Sequence, residues 1–326
     1  VKADAYGLGA AVIASTLQAQ GCTHFFVANA AEGQALRAAL GNADSIRIYV
    51  FEGVLAATLP TLLAAQLTPV INSINQWQLW SQAYEQSAAG RKLELVVHID
   101  TGMQRLGLAP VELADMVATG RQPDMLMTHL ACADEPGHPS VAAQLQKIVA
   151  LAAQYPGCNL SLANSAGTLG AHNLAGIALY GGAPFTEIAP PNPHNNQIWP
   201  VARLEGQVLQ LRDVAAGTAV GYGASFVATE AMRVATVGLG YADGLPRLLS
   251  NVGAGFAAGH RLPIVGRVSM DLTCVDVSAA TLAEGDWIEF FGQNLALAEV
   301  AGFAQTIDYE ILCGIGGRVP RIYQAL

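Results

Sequence analysis

Between residues 1 and 185 short apolar runs alternate with helix-length segments, and no stretch reverses the order. Strands are predicted at 1–3, 24–29, 45–51, 67–72, 93–100, 125–131, 158–164 and 176–180. Helices are predicted between them at 9–20, 30–40, 54–65, 74–88, 110–119 and 140–154. The run Leu93-Glu94-Leu95-Val96-Val97-His98-Ile99-Asp100 is almost continuously apolar. That is the mark of a strand covered on both faces, as parallel sheets require. In the last helix Val141, Leu145, Ile148, Val149 and Ala152 recur with the helical period. Eight strands joined by helices favour a (β/α)8 barrel of the TIM type over a doubly wound sheet. The crossover between Ser165 and Gly176 is too short for a full helix, so the count is irregular there.

Pattern and composition both change near residue 185. The stretch Ala189-Pro190-Pro191-Asn192-Pro193-His194-Asn195-Asn196 has the make-up of a linker. Beyond it, strand-like runs at 203–214, 234–241, 262–269, 273–277 and 286–291 are separated by turns rich in Gly, Asp and Asn. Only 295–303 has a helical pattern there. We expect a barrel over 1–196 and a mainly β domain over 197–326. The chain opens on Val1 in mid-strand, not on Met, so it is expected to lack an upstream piece, and nothing about a targeting segment is legible.

Composition narrows the function. Hydrophobic residues make up 52% and charged residues 13%, which is globular rather than disordered. A net charge of −9 without a basic stripe argues against nucleic acid. Backbone amides can still hold a phosphate-bearing small molecule. No apolar run approaches the roughly 18 residues of a membrane span, so no membrane partner is expected. Cys22, Cys132, Cys158, Cys274 and Cys313 are scattered and form no CxxC pair. They read as reduced thiols in the cytoplasm. No His, Cys, Asp and Glu cluster has metal-ligand spacing, so no metal is expected.

Barrel chemistry sits at the C-terminal ends of strands. Those positions hold Lys2, Asn72, Asp100 with Arg105 just beyond, His129, Asn164-Ser165 and Tyr180-Gly181-Gly182. A lysine at a strand end either snorkels to solvent or is desolvated, and desolvation makes an amine nucleophilic, as in a Schiff-base lysine. Arg105, between Gly102 and Gly107, is either a surface residue or a fork for a carboxylate. His129 reads as a hydrogen-bonded core residue or as a group that stacks on a ring or relays protons. In the second domain Tyr222 and Tyr241 each lie between close glycines, and Ser269, Met270 and Asp271 end a strand. Tyrosines at strand ends are commonly structural. Tyr309 has no signal of its own.

Nine motifs run in order along nearly the whole chain: VKADAYGLG from Val1, HIDTGMQRLG from His98, THLACAD from Thr128, ANSAG from Ala163, GIALYGG from Gly176, VGYGAS from Val220, GYADGLPR from Gly240, GRVSMD from Gly266 and IDYEI from Ile307. Together they resemble the alanine racemase family, pyridoxal 5'-phosphate enzymes built of a barrel and a β domain. The resemblance implies interconversion of L- and D-alanine, with a broader or serine racemase and an impaired cofactor-binding homologue as alternatives. It implies that Lys2 is the Schiff-base lysine and the base on one face of the substrate. Tyr222 is then the base on the other face, supplied to a neighbour in a head-to-tail homodimer. It further implies that Tyr6, His129, Asn164, Ser165, Gly176, Ile177 and Tyr309 contact the cofactor. Arg105 is implied to bind the substrate carboxylate, and Tyr241, Ser269, Met270 and Asp271 to line the substrate entrance and pocket.

Two positions depart from the family pattern. His98 stands where the family has a modified lysine that steadies the arginine. A neutral imidazole there could hold Arg105 by a hydrogen bond. Leu174, in Leu174-Ala175-Gly176-Ile177, stands where the family has an arginine facing the pyridine nitrogen. Its absence leads us to expect weaker cofactor binding with low activity, or altered reaction specificity such as transamination.

Overall fold

The computed structural model describes residues 1–41, 45–86, 93–118, 121–135, 137–162, 164–166, 176–184 and 198–324. Six strands, β1 (His24–Val27), β2 (Arg47–Val50), β3 (Thr68–Ile71), β4 (Val96–His98), β5 (Met125–Met127) and β6 (Asn159–Ser161), pair in parallel in that order. Between or before them come α1 (Ala10–Ala19), α2 (Ala30–Leu40), α3 (Leu59–Ala64), α4 (Ile74–Gln86), α5 (Pro110–Val117) and α6 (Pro139–Ala152). Parallel neighbours joined in chain order by helices are the barrel pattern.

The strands' two-residue period sorts their side chains into two layers. Ile48, Val50, Ile71, Val97 and Leu126 pack with Leu36, Leu62, Leu113 and Ile148 of the helices. Tyr49, Val70, Val96 and Met127, on the opposite face, cluster with Phe26, Phe51 and Met125. A side chain fully buried in either layer is worth about 1.5–3 kcal/mol. Both faces are therefore committed to packing, and the chemistry is left to the strand ends.

Two of the eight expected strands are corrected among the described residues. Residues 1–3 form no strand. Only the Val1 nitrogen reaches β1, donating to Phe26 O at 3.1 Å, and then Lys2–Tyr6 winds into a left-handed turn with φ of 53°, 52° and 53° at Ala3, Asp4 and Ala5. Residues 176–180 form no strand either. Ile177–Tyr180 is a 3-10 turn, because Ile177 and Tyr180 bury at a spacing of three while Leu179 is exposed. In α6 the buried stripe is Gln144, Ile148 and Leu151, and Val149, expected inward, is 53% exposed.

The remainder builds an antiparallel sheet in the order β12-β11-β14-β7-β10-β13 around the long β7 (Leu204–Val214). Its other members are β10 (Met232–Val237), β11 (Ala254–Ala257), β12 (His260–Pro263), β13 (Thr273–Asp276) and β14 (Trp287–Phe291). A small hairpin joins β8 (Ala219–Val220) to β9 (Phe226–Val227). Two short helices follow, α7 (Leu297–Phe303) and α8 (Asp308–Gly314), the second of which the sequence pattern missed. The chain divides into a first unit of residues 1–5 and 9–176 and a second of residues 6–8 and 177–326. The linker-like stretch 189–196 lies outside the described residues.

Candidate active site

In the first unit the turn that carries Lys2 is held at several points. Ala5 N donates to Val1 O at 2.9 Å and Gly9 N to Asp4 O at 2.9 Å. Glu32 of α2 accepts from Ala3 N at 3.0 Å, and Asp4 accepts from Ala10 N at 2.7 Å. Successive left-handed residues other than glycine cost about 1–2 kcal/mol each, so these bonds oppose a real tendency to unwind. Lys2 itself is half-buried.

His98 ends β4, and its Nδ1 lies 2.9 Å from Asn72 Oδ1. The orientation of that amide is settled by its other end, since Asn72 Nδ2 donates to Phe51 O at 2.9 Å and to Val70 O at 2.8 Å. His98 Nδ1 therefore carries the proton and donates it. Burial, then His129, push His98 down to about 4, with Arg105 adding to the effect and Asp100 opposing it. Burial also lowers His129, followed by the charges of Arg105 and Lys2. Both imidazoles are neutral near pH 7, beside two cations. Asp100 is occupied elsewhere. Its carboxylate accepts from the amides of Gly102 and Met103, each at 2.9 Å, and Gln104 at 3.0 Å. Burial works against ionisation, but those amides outweigh it and hold Asp100 below its ordinary value. The loop that presents Arg105 is thus wound on a carboxylate, and Arg105 is exposed. Ser165 is buried, and its hydroxyl accepts from Gly176 N at 2.7 Å. Asn164 is half-buried. Leu174 lies outside the described residues.

In the second unit three tyrosines meet. The Tyr6 ring centroid lies 4.9 Å from that of Tyr180 and 5.7 Å from that of Tyr309 on α8. Burial, then Tyr309 and Tyr180, push the Tyr6 hydroxyl well above its ordinary value, and burial takes Tyr180 up to about 12. Both remain protonated donors at any ordinary pH. Arg321 donates to Gly7 O through Nη2 at 2.9 Å, and the Tyr323 hydroxyl donates to Leu8 O at 2.9 Å, which fixes the backbone after Tyr6. Ile177 is fully buried.

A second cluster in this unit joins the Gly240–Gly244 and Ser269–Asp271 turns. Tyr241 N donates to Ser269 O at 3.0 Å and Ala242 N to Met270 O at 2.9 Å. Arg318 bridges Asp243 and Asp271, each at 2.6 Å. The Ser269 hydroxyl is spent on Leu272 O at 2.6 Å. Gly244, at φ 105°, lies so close to Gly314 O that no Cβ would fit. Tyr222 heads a short 3-10 turn between Gly221 and Gly223, both at positive φ, and is 73% exposed.

The first unit thus brings Lys2, Arg105 and His129 within electrostatic reach, and the second gathers Tyr6 with Tyr309, and Tyr241 with Ser269, Met270 and Asp271. Sequence reasoning missed Gln144 and Arg318. Gln144 had a signal, a polar residue in register with Ile148 and Leu151. Arg318 had none. Among the described residues no three His, Cys, Asp or Glu side chains gather to hold a metal, and no helix is long and apolar enough to cross a membrane.

The family model for the alanine racemase N-terminal domain matches residues 1–184, and that for the alanine racemase C-terminal domain matches residues 201–323. The chain is 46% identical to a catabolic alanine racemase of Agrobacterium fabrum over 337 aligned positions, covering 99% of this chain and 84% of the relative. It is 43% identical to an alanine racemase of Rhodospirillum rubrum, covering 99% and 87%. Among solved structures, alanine racemase from Bartonella henselae with covalently bound pyridoxal phosphate is similar at a TM-score of 0.88 and 34% identity, covering 99% of this chain and 91% of that one. The biosynthetic alanine racemase of Pseudomonas aeruginosa is similar at 0.88 and 34%, covering 100% and 91%.

Proposed function

The chain belongs to the alanine racemase family, and from that premise we infer that it interconverts L- and D-alanine with pyridoxal 5'-phosphate as cofactor. The observation that carries the reading is the cationic, imidazole-lined set of the first unit: Lys2 on its left-handed turn, Arg105 on its loop, and two neutral histidines at or just beyond the ends of β4 and β5. It suits a small amino acid, which brings one carboxylate and one reacting Cα.

The donor set fits the cofactor. Lys2 would attach to its aldehyde. By the family resemblance Tyr6, a hydroxyl that stays protonated, would donate to its phosphate, and Tyr309, Ser165, Gly176 and Ile177 would fall at cofactor or phosphate positions. Hydroxyls and amides hold a phosphate without basic residues, as an acidic chain requires. Asn164 would contact it as well. His129, being neutral, would lie against the ring without adding charge. When bound, the cofactor supplies an electron sink that makes the Cα–H bond acidic.

The rest falls to the chain's own residues. Racemisation removes the Cα proton on one face and returns it on the other, so it needs two proton-transfer groups. We assign them to Lys2 and Tyr222. Arg105 takes the substrate carboxylate in its fork and so fixes which substituent faces each base. Tyr241, Ser269, Met270 and Asp271 line the approach. The 73% exposure of Tyr222 supports its service to a second copy in a head-to-tail homodimer. Among the described residues no two cysteines pair in a disulfide, which accords with the reducing, cytoplasmic location we propose.

Incubating the cofactor-loaded protein with L-alanine, and separately L-serine, followed by chiral chromatography, tests the reading. D-alanine should accumulate, and faster than D-serine. Unchanged L-alanine would sink it. One observation favours a second reading: with Leu174 in place of a guanidinium, side reactions such as transamination are less restrained. Leu174→Arg should then lower pyruvate formation or tighten cofactor binding, and no change in either removes the idea.

A further inference from the structure

Helix α6 carries Gln144 on its buried stripe, and the side chain is only 2% exposed. Every end of its amide is engaged. Oε1 accepts from Ala131 N at 2.9 Å, so the other end is the NH2 group. That group donates to His129 O and to Thr101 Oγ1, each at 3.0 Å. Thr101 and Thr128, both 2% exposed, have hydroxyls 2.8 Å apart. Thr128 donates to Ile99 O at 2.8 Å, and a carbonyl cannot donate back. Thr101 must therefore donate to Thr128 and accept from Gln144. The hydrogens run one way, from Gln144 through Thr101 and Thr128 to the Ile99 carbonyl. Lys147, one turn along the helix, adds Nζ to Thr101 O at 3.0 Å.

Thr101 opens the loop that ends at Gly107 and carries Arg105, and Asp100 holds the next three amides of that loop. One amide from one helix therefore grips both the strand end bearing His129 and the loop bearing Arg105. A flipped amide would set NH2 against the Ala131 N–H and oxygen against the His129 carbonyl, so a single orientation is allowed. Buried polar networks of this kind are fully satisfied or costly. We propose that Gln144 is a positioning residue that sets the Arg105 loop in register with the strand end bearing His129, so that Arg105 meets the substrate carboxylate at a fixed place beside the ring His129 lies against. The inference rests on the racemase reading above.

The test uses the full chain as Gln144→Glu, Gln144→Met, Thr101→Val, Thr101→Ser and Arg105→Lys. It reads KM and kcat for alanine, and deuterium uptake at residues 102–104 and 131 of the cofactor-free protein. Gln144→Glu keeps the acceptor for Ala131 but removes both donors, and Thr101→Val breaks the chain without changing volume. Both should raise KM by about tenfold or more while kcat moves about threefold or less. Uptake at 102–104 should quicken by about tenfold, and Thr101→Ser should stay within about twofold of the parent in all readouts. If burying a carboxylate or an apolar chain at 144 prevents folding, the two Thr101 variants carry the test. A folded Thr101→Val protein with parental KM and parental uptake overturns the proposal, provided Arg105→Lys does raise KM. If Arg105→Lys leaves KM unchanged, the reading of Arg105 itself has failed, and the proposal with it.

Discussion

Lys2, His98 and His129 are half-buried and gripped from beneath, whereas Tyr222, Tyr241 and Met270 stand 73%, 43% and 53% exposed. The first unit seats its candidate residues on buried amides and hydroxyls, among them Asn72, Thr101, Thr128 and Gln144. The second buries Tyr6 and Ile177 but presents Tyr222, Tyr241 and Met270 on turns, the last two tied together by backbone bonds and by the Asp243–Arg318–Asp271 bridge. The difference has a physical meaning. An arginine that must hold a ligand's carboxylate at a fixed angle needs a rigid base beneath its loop even though its own guanidinium, as in Arg105, is exposed. A tyrosine left in water on its own chain is suited to being covered by something else, which in our reading is a second copy.

Removing Lys2 attacks that comparison hardest. Lys2→Ala should lower racemisation by about 10²–10⁴-fold, the usual worth of a positioned proton-transfer group. It should also abolish the borohydride-fixed cofactor label on the peptide that contains residue 2. A chiral assay showing activity within a few-fold of the parent would remove Lys2 from the site. Arg105→Lys comes next. A charge-assisted bond is worth about 1.5–3 kcal/mol, so losing the fork should raise KM for alanine about 10- to 100-fold with a smaller change in kcat.

The exposed side should be more forgiving. Arg318→Lys loosens the bridge to Asp243 and Asp271; the Asp243 carboxylate is buried, but Arg318 and Asp271 are exposed and lysine keeps the charge, so the loss should be modest. Steady-state kinetics should show KM changed by about two- to fivefold, and a hundredfold loss would place Arg318 much nearer the chemistry than we do. The last prediction concerns stability and pH, not kinetics. His98 sits at about 4 against an ordinary 6.5, so on acidification the unfolded chain takes up the proton first. That contribution is complete above pH 6.5 and is lost as pH falls toward 4, at up to roughly 1.36 kcal/mol per unit for that proton. His98→Gln should flatten this slope in urea titrations between those limits. An unchanged slope would mean His98 is not held neutral.

Much of the first unit was legible because its strands, buried on both faces, read as apolar runs between helical segments. The pattern put Lys2, Arg105 and His129 at or just beyond the ends of those runs, and the structure brings the three within electrostatic reach, with Lys2 on a turn and not at a strand end. The errors have particular causes. Nothing in Ala3-Asp4-Ala5 announces three residues at positive φ, since the alanines at either end disfavour that region and the turn is held by hydrogen bonds that Val1, Asp4 and the distant Glu32 accept. Residues 177–180 satisfy both a short apolar strand and a turn with a spacing of three, and a four-residue window does not separate them. Helix α8 was missed because it is only seven residues long, too short for a periodic pattern, even though Asp308 and Glu310 in its first turn favour a helix start. Gln144 was hidden by an apolar face drawn one position off, through Val149. Arg318 acts on residues 47 and 75 positions away, a relation no local pattern records.

The remaining question is whether the half-buried lysine and the exposed tyrosine serve opposite faces of one substrate. Exchange of the Cα hydrogen in deuterated water, followed separately for L- and D-alanine in Tyr222→Phe, measures this directly. We predict that one enantiomer goes on exchanging at near the parental rate while the other slows by about 10²-fold or more, and that interconversion slows with it. Equal exchange of both enantiomers at the parental rate, with racemisation intact, would contradict the account.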